Sequence, residues 1–325
     1  MKNKPVLLVL IASLGFSFNP VITKILSDEI SINGILFLRF LLVTILFPLV
    51  AIPLSGHTLK SFFAIKPKQL LVFFLLSFLL VANMILFFNA FYFINVNRAL
   101  FIHLMYPVVT IILAHIFIKE PITKQDLIAA SVSFLGIVAI FWNTSLRGGK
   151  ILGDIMVILA LILWCSYMIF NRYTSLREIH YRQTFWLFLF GTLLLLPSYY
   201  LFGIEQPISN ISTKGIVLIL LITIFSTLIP YSILSYVSRH IKTSTIALLL
   251  LLSQVISISL SFIILKEKPA VNVVIGGLLI IFSAVMSIYS FDKLFSLRKY
   301  LKAKALYHGF VKAIDIIYSK FIYHK

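Results

Sequence analysis

Residues Arg98 to Trp142 read RALFIHLMYPVVTIILAHIFIKEPITKQDLIAASVSFLGIVAIFW, and 147 positions later Thr245 to Tyr289 read TIALLLLLSQVISISLSFIILKEKPAVNVVIGGLLIIFSAVMSIY. In that register Lys119-Glu120 meets Lys266-Glu267, and Ala129-Ala130 meets Gly276-Gly277. Each copy is an apolar run too long for a soluble helix, a charged Lys-Glu turn, and a second apolar run with small residues along one face. Two membrane-crossing helices joined by a tight polar turn satisfy the pattern, because a backbone in hydrocarbon must close its own hydrogen bonds. Ala129, Ser133 and Gly136 in one copy, and Gly276, Gly277 and Ser283 in the other, predict close approach of neighbouring helices.

Composition leads to the same class. The 325 residues are 61% hydrophobic and only 12% charged, with a mean hydropathy of +1.06. No water-facing globular surface can be built from so few polar residues, so the chain is an integral membrane protein. Its 30 Phe and 14 Tyr suit lipid-facing and interfacial positions. The single cysteine, Cys165, excludes an intrachain disulfide and a cysteine-based metal site.

Apolar runs of about 18 residues or more fall near 5–26, 33–54, 69–94, 97–118, 123–143, 151–171, 183–203, 214–237, 243–265 and 269–290. These predict an all-α polytopic protein with ten transmembrane spans in two sets of five. An odd number per set makes the second copy enter the membrane inverted, an architecture recurrent in secondary transporters. The expected units are residues 1–145, residues 146–290 and a tail, 291–325. Lysine and arginine alternate sharply between loops: twenty lie on the side of the termini, seven on the other, and Arg39 lies within span two. Both termini are therefore expected in the cytoplasm. The first run follows Met-Lys-Asn-Lys but lacks a small-residue cleavage site, so it is read as span one. The tail carries eight basic residues, with Leu294, Leu297, Leu301, Phe310, Ala313, Ile314, Ile317 and Phe321 at near-helical spacing. It is expected to lie as an amphipathic segment on the anionic cytoplasmic leaflet. The +18 net charge is thus a matter of membrane orientation, and nucleic acid is not expected as a partner.

Several segments resemble the drug/metabolite transporter superfamily, in its EamA-type ten-helix branch. They are GFSFNPVITK (Gly15 to Lys24), FLRF (Phe37 to Phe40), the block from Pro107 to Glu120 ending IFIKE, and its echo IILKE. The resemblance covers residues 5–290 and implies a carrier in a bacterial cytoplasmic (inner) membrane, with its substrate in a central cavity between the halves. Export is the commoner direction among similar proteins. Two departures stand out: the Trp-Gly-Ser-Asn usual in span one is Phe16-Ser17-Phe18-Asn19 here, and His103 and Tyr106 precede Pro107 where small residues are usual.

Polar side chains inside spans are the default functional candidates, because hydrocarbon penalises them unless they are paired or face water. His103, Tyr106 and Pro107 fall on one face of span four, with Pro107 expected to kink it. Arg39 is a candidate anion holder, or a side chain snorkelling to the headgroups. Asn19 and Tyr167, at matching repeat positions, are expected to face each other across the pseudo-two-fold axis, with Pro20 breaking span one. Asn83, Trp164, Tyr231 and Gln254 complete the expected cavity lining, and interhelical hydrogen bonding or packing is the structural alternative for each. The Lys-Glu turns are expected to cap helices and pair locally.

The absences are informative as well. No Asp or Glu lies deep in any span, so a carboxylate relay or a counter-ion for an organic cation has no candidate. No phosphate-binding glycine loop, metal cluster or Ser-His-Asp pattern is present, so no cofactor and no metal is expected. These observations favour a small polar metabolite such as an amino acid, carried by alternating access. The alternatives are an uptake carrier of the same fold, and a membrane-embedded transferase acting on a lipid-linked substrate, whose clustered acids and histidines the sequence lacks. The small-residue faces of spans five and ten also offer a surface for a homodimer. If both termini are cytoplasmic, a fluorescent reporter fused after Lys325 is bright and an alkaline phosphatase fused there is silent; the opposite pattern would invert the orientation.

Overall fold

In the computed structural model of the chain, residues 4–55, 62–142, 149–176, 180–202, 211–265 and 271–288 are described, and among them there is helix and no strand. Nine helical stretches are long and apolar enough to cross a membrane, and a shorter one, Thr243–Ser257, occupies the position of span nine. Spans one to three are α1 (Lys4–Leu26), α2 (Ile32–Ser55) and α3 (Pro67–Asn89). Span four is divided into α4 (Val96–His103) and α5 (Tyr106–Ile118). Spans five to seven are α6 (Lys124–Phe141), α7 (Ile151–Ser175) and α8 (His180–Phe202). Span eight is α9 (Thr213–Thr223) and α10 (Ile229–Val237), joined by a π-helical turn at Ile224–Leu228. Span nine is α11 (Thr243–Leu250) and α12 (Leu252–Leu265), and span ten is α13 (Val271–Ile288). The amphipathic tail and the Lys266-Glu267 turn lie outside the described residues.

Packing follows the internal repeat. Spans five and ten lie along each other, as do two and seven, and each of these pairs is self-matched by the repeat. Spans one and eight pack as three and six do, and one and nine as four and six do, so these contacts are symmetry mates. Individual contacts repeat the rule. The hydroxyls of Thr44 and Thr192, mates 148 residues apart, meet at 3.1 Å. The rings of Phe40 and Phe188, mates at the same offset, stand 4.9 Å apart.

The small-residue stripes account for the five–ten contact. Ser283 Oγ donates to the Ala129 carbonyl at 2.7 Å, and a Cβ on Gly136 would run into the Gly276 carbonyl 2.8 Å away. These two contacts exchange under the repeat. The stripes are buried against each other within one chain, so the homodimer expected through these faces is not available; Leu135, Leu278 and Phe282 point outward in their place.

The helix breaks differ from expectation in one respect. Span one is unbroken, with Pro20 inside α1. Hydrocarbon favours a closed backbone ladder, and a single proline costs one donor that the remaining turns outweigh. The breaks fall at Leu104–Met105 and at Leu251, which match in the repeat. Pro107, in the first turn of α5, explains the first; the second has no proline and follows its mate by position.

At the membrane border Glu29 accepts from the Ser212 backbone and hydroxyl at 2.8 and 2.9 Å, which holds its carboxyl below the usual range. Gly136→Val is expected to force spans five and ten apart, at a cost of roughly 1–3 kcal/mol as for other overpacked contacts. A lowered melting temperature in detergent, against little change for Leu135→Val on the outer face, would show it.

Candidate functional site

Eight of the nine candidate residues gather in one file, buried at Arg39, Asn83, Tyr106, Tyr167 and Tyr231 and half-buried at Asn19, His103 and Trp164, that crosses from the first repeat to the second. At one end Asn83 Nδ2 lies 3.2 Å from His103 Nε2 and donates to the Ala160 carbonyl at 2.8 Å. His103 packs at 4.6 Å on Phe87 and at 6.3 Å on Tyr106, just across the break in span four. Tyr106 meets the edge of Trp164 at 6.3 Å, and Trp164 stacks on Tyr167 at 5.5 Å. Tyr167 then meets Tyr231 at 6.3 Å, and Tyr231 closes on Phe16 at 5.3 Å and Phe188 at 5.6 Å. Such edge and offset contacts suit the ring quadrupoles and hold the file rigid.

Arg39 occupies the other end. Its Nε donates to Thr227 Oγ1 at 2.9 Å and its Nη1 to Asn19 Oδ1 at 2.8 Å. It is 1% exposed, so the snorkelling expected of it does not occur. Span two runs along the repeat axis, and its inner face gives the guanidinium no path to the headgroups. Asn19 also accepts from Thr23 at 3.1 Å, while the ring contacts of Tyr167 go to Trp164 and Tyr231. Gln254 is the ninth candidate. It is half-buried on α12, and its side chain makes no hydrogen bond or ring contact to the file among the described residues.

The local backbone explains these placements. Pro230 cannot donate to the carbonyl four residues before it, and the chain widens into the π-turn, a device often found at functional sites. Thr227 sits in that turn, and Tyr231 lies one turn later on the same side. Gly15 gives span one its approach to the turn: Ser226 Oγ donates to the Gly15 carbonyl at 2.6 Å, and a Cβ there would overlap the Phe225 carbonyl. Thr227 and the π-turn went unread in the sequence; Pro230 was the signal that marked them.

Two buried polar atoms in the file have no hydrogen-bond partner, Trp164 Nε1 and Tyr167 Oη. Tyr167 is fully buried, and Tyr106, Tyr231 and Asn83 nearly so. A separate cavity of about 360 Å³ opens on the flank between spans three, four and six. It is apolar, lined by Leu71, Leu75, Phe117 and Phe170 among others, and none of the nine candidates borders it.

One end of the bundle is tied across the repeats. Lys119 caps α5 in the left-handed conformation, with φ 56°. Glu120 does more than the local pairing expected of it. Its carboxylate pairs with Arg172 Nε at 2.9 Å and accepts from the Thr243 backbone and hydroxyl at 3.0 Å, capping α11 of the second repeat. Arg172 also donates to the Ser238 and Ile241 carbonyls. Lys242 reaches back to Asp126 at 3.3 Å. Behind them Gln183 donates to Asn171 at 2.5 Å, and Asn171 to Ser238 at 2.8 Å.

Inverted helical repeats, a polar and aromatic file between them and ties at one end of the bundle define a multi-pass membrane protein built on an internal repeat. The chain belongs to the EamA-like transporter family, which it matches over residues 3–142 and again over 151–289. It is 24% identical over 167 residues to an uncharacterized transporter of Archaeoglobus fulgidus, spanning 50% of this chain and 57% of that one. It is 27% identical over 200 residues to an uncharacterized transporter of Clostridium kluyveri, spanning 59% of this chain and 63% of that one. A solved crystal structure shares the fold at a TM-score of 0.75 and 15% identity, over 89% of this chain and 99% of the other.

Glu120→Ala removes one partner of the Arg172 pair and the cap of α11. It is expected to cost about 2–4 kcal/mol, because a partly buried charge and a helix end both lose their partners. Glu120→Gln, which keeps the cap acceptor, should lose less. Thermal unfolding of both variants in the same detergent gives the comparison.

Proposed function

We propose that the protein is a secondary carrier that moves a small polar organic metabolite between its two repeats by alternating access. The observation that carries this reading is the file from Asn83 to Arg39, in which Tyr167 Oη and Trp164 Nε1 are left without partners. A buried donor with no acceptor is costly, and a ligand that supplies one recovers that cost. The repeats, residues 1–145 and 146–290, interleave their spans and line the file from both sides. The matched breaks in spans four and nine support the carrier reading, since interrupted helices at corresponding positions mark transporter binding sites. Burial within the file and the Glu120–Arg172–Thr243 tie are what an occluded state, closed on the tied side, requires. In this reading the tied side, which carries most of the loop lysines and arginines, faces the cytoplasm of a bacterial cell with the tail on the inner leaflet, and export is the direction that the resemblance to EamA-type transporters favours.

Purified full-length protein in proteoliposomes, preloaded with one unlabelled solute and challenged with the same solute labelled, tests the reading by counterflow. Amino acids, organic acids, nucleosides and amines form the panel. Counterflow of one class, reduced about tenfold by Tyr167→Phe or Trp164→Phe, is expected, the factor corresponding to one hydrogen bond of about 1.4 kcal/mol. No counterflow of any solute would sink the carrier reading.

A further inference from the structure

Arg39 is the largest fully buried side chain of the described structure. A guanidinium inside hydrocarbon is expensive unless a counter-charge meets it. Here it meets two neutral acceptors, Asn19 Oδ1 and Thr227 Oγ1. No carboxylate pairs with it among the described residues, whose ion pairs lie at the span ends, at Asp154, Glu120 and Asp126. The two hydrogen bonds occupy Nε and Nη1. They fix the plane of the guanidinium and leave the rest of its five N–H groups without a partner in that set.

The repeat does not require this charge. Its mate in span seven is Leu187, equally buried at 0% exposure. A position that accepts leucine in one copy and arginine in the other is not using arginine to pack the bundle. The surroundings are also one-sided. Asn19 is one turn from Phe16 and Thr227 one turn from Tyr231, and those two rings are in contact at 5.3 Å. The tethered guanidinium therefore stands at the end of the aromatic file, and Tyr167 Oη and Trp164 Nε1 lie further along it. The file holds one fixed cation, orphan polar groups and ring faces, and no acid to receive an ammonium.

We infer that the site takes a small organic carboxylate, its anionic end forked on Arg39 and its apolar body laid along Tyr231, Tyr167 and Trp164. This rests on the carrier reading. The planar fork suits a carboxylate with two parallel hydrogen bonds, and the carboxylate supplies the counter-charge that the chain lacks.

Matched ligands test it on the full-length protein in lipid nanodiscs. Thermal shifts are compared for 3-phenylpropionate and its carboxamide, and for 4-methylpentanoate and its carboxamide. The acids should stabilise, because a ligand that binds only the folded state raises the melting temperature, and the amides should need at least tenfold higher concentration. Arg39→Gln should abolish the difference between acid and amide, and Arg39→Lys should retain part of it. Should Arg39→Gln not fold, Thr227→Val keeps the charge and removes its tether, and is expected to weaken the acids several-fold while leaving the amides unchanged. Amides binding as well as acids, a preference that survives Arg39→Gln, or no response to any acid would each overturn the inference. Counterflow of neutral or cationic solutes in that case would leave the carrier reading standing, and its absence for every solute would remove both.

Discussion

Hydrocarbon offers no hydrogen bonds: each span closes its backbone ladder as a helix, and the small and polar faces left over are covered by folding one repeat against its inverted copy. A single five-span unit would leave the carbonyls at Ala129 and Gly136 and the small-residue stripe around them facing lipid. Paired with span ten, the stripe is filled: Ser283 donates to Ala129, and Asn272 donates to the Ala139 and Ile140 carbonyls at 3.1 Å. The Thr44–Thr192 and Phe40–Phe188 pairs on the axis show the same solution in polar and in aromatic form. Close approach of small residues, which replaces hydrophobic burial as the attraction between helices in lipid, sets the frame.

Against that symmetric frame several residues of the candidate site are asymmetric. Arg39 has Leu187 as its mate, His103 has Leu250, and the π-turn in span eight has an unbroken helix opposite it in span three. Polarity separates the flank cavity from the file. The cavity is apolar and borders lipid-facing residues such as Leu71 and Phe117, whereas the file collects the polar groups that hydrocarbon would otherwise reject.

The tie at Glu120 shows how the two repeats are coupled without a large apolar interface at the border. One carboxylate caps a helix of the other repeat and pairs with an arginine at the end of a third span. The Glu120 carboxylate is buried with its partner Thr243, and the Gly136–Gly276 contact within the bundle cannot open without losing its packing.

The class of the protein, its spans and its inverted repeat were legible in the sequence, because span length, loop charge and the spacing of small residues answer to the membrane rather than to neighbouring side chains. Eight of the nine residues singled out for the candidate site lie in one file, although the spans bury many other polar side chains, Asn33, Asn171 and Gln183 among them. Tertiary structure alone decided the rest. Whether Arg39 reaches headgroups or the interior depends on which face of span two meets the axis. Whether a proline breaks a helix depends on what else closes the ladder, so Pro20 lies inside an unbroken α1 while Leu251, with no proline near it, marks a break. The partners of Glu120 lie 52 and 123 residues away, a distance over which sequence spacing says nothing and only the packing of the two repeats brings side chains together.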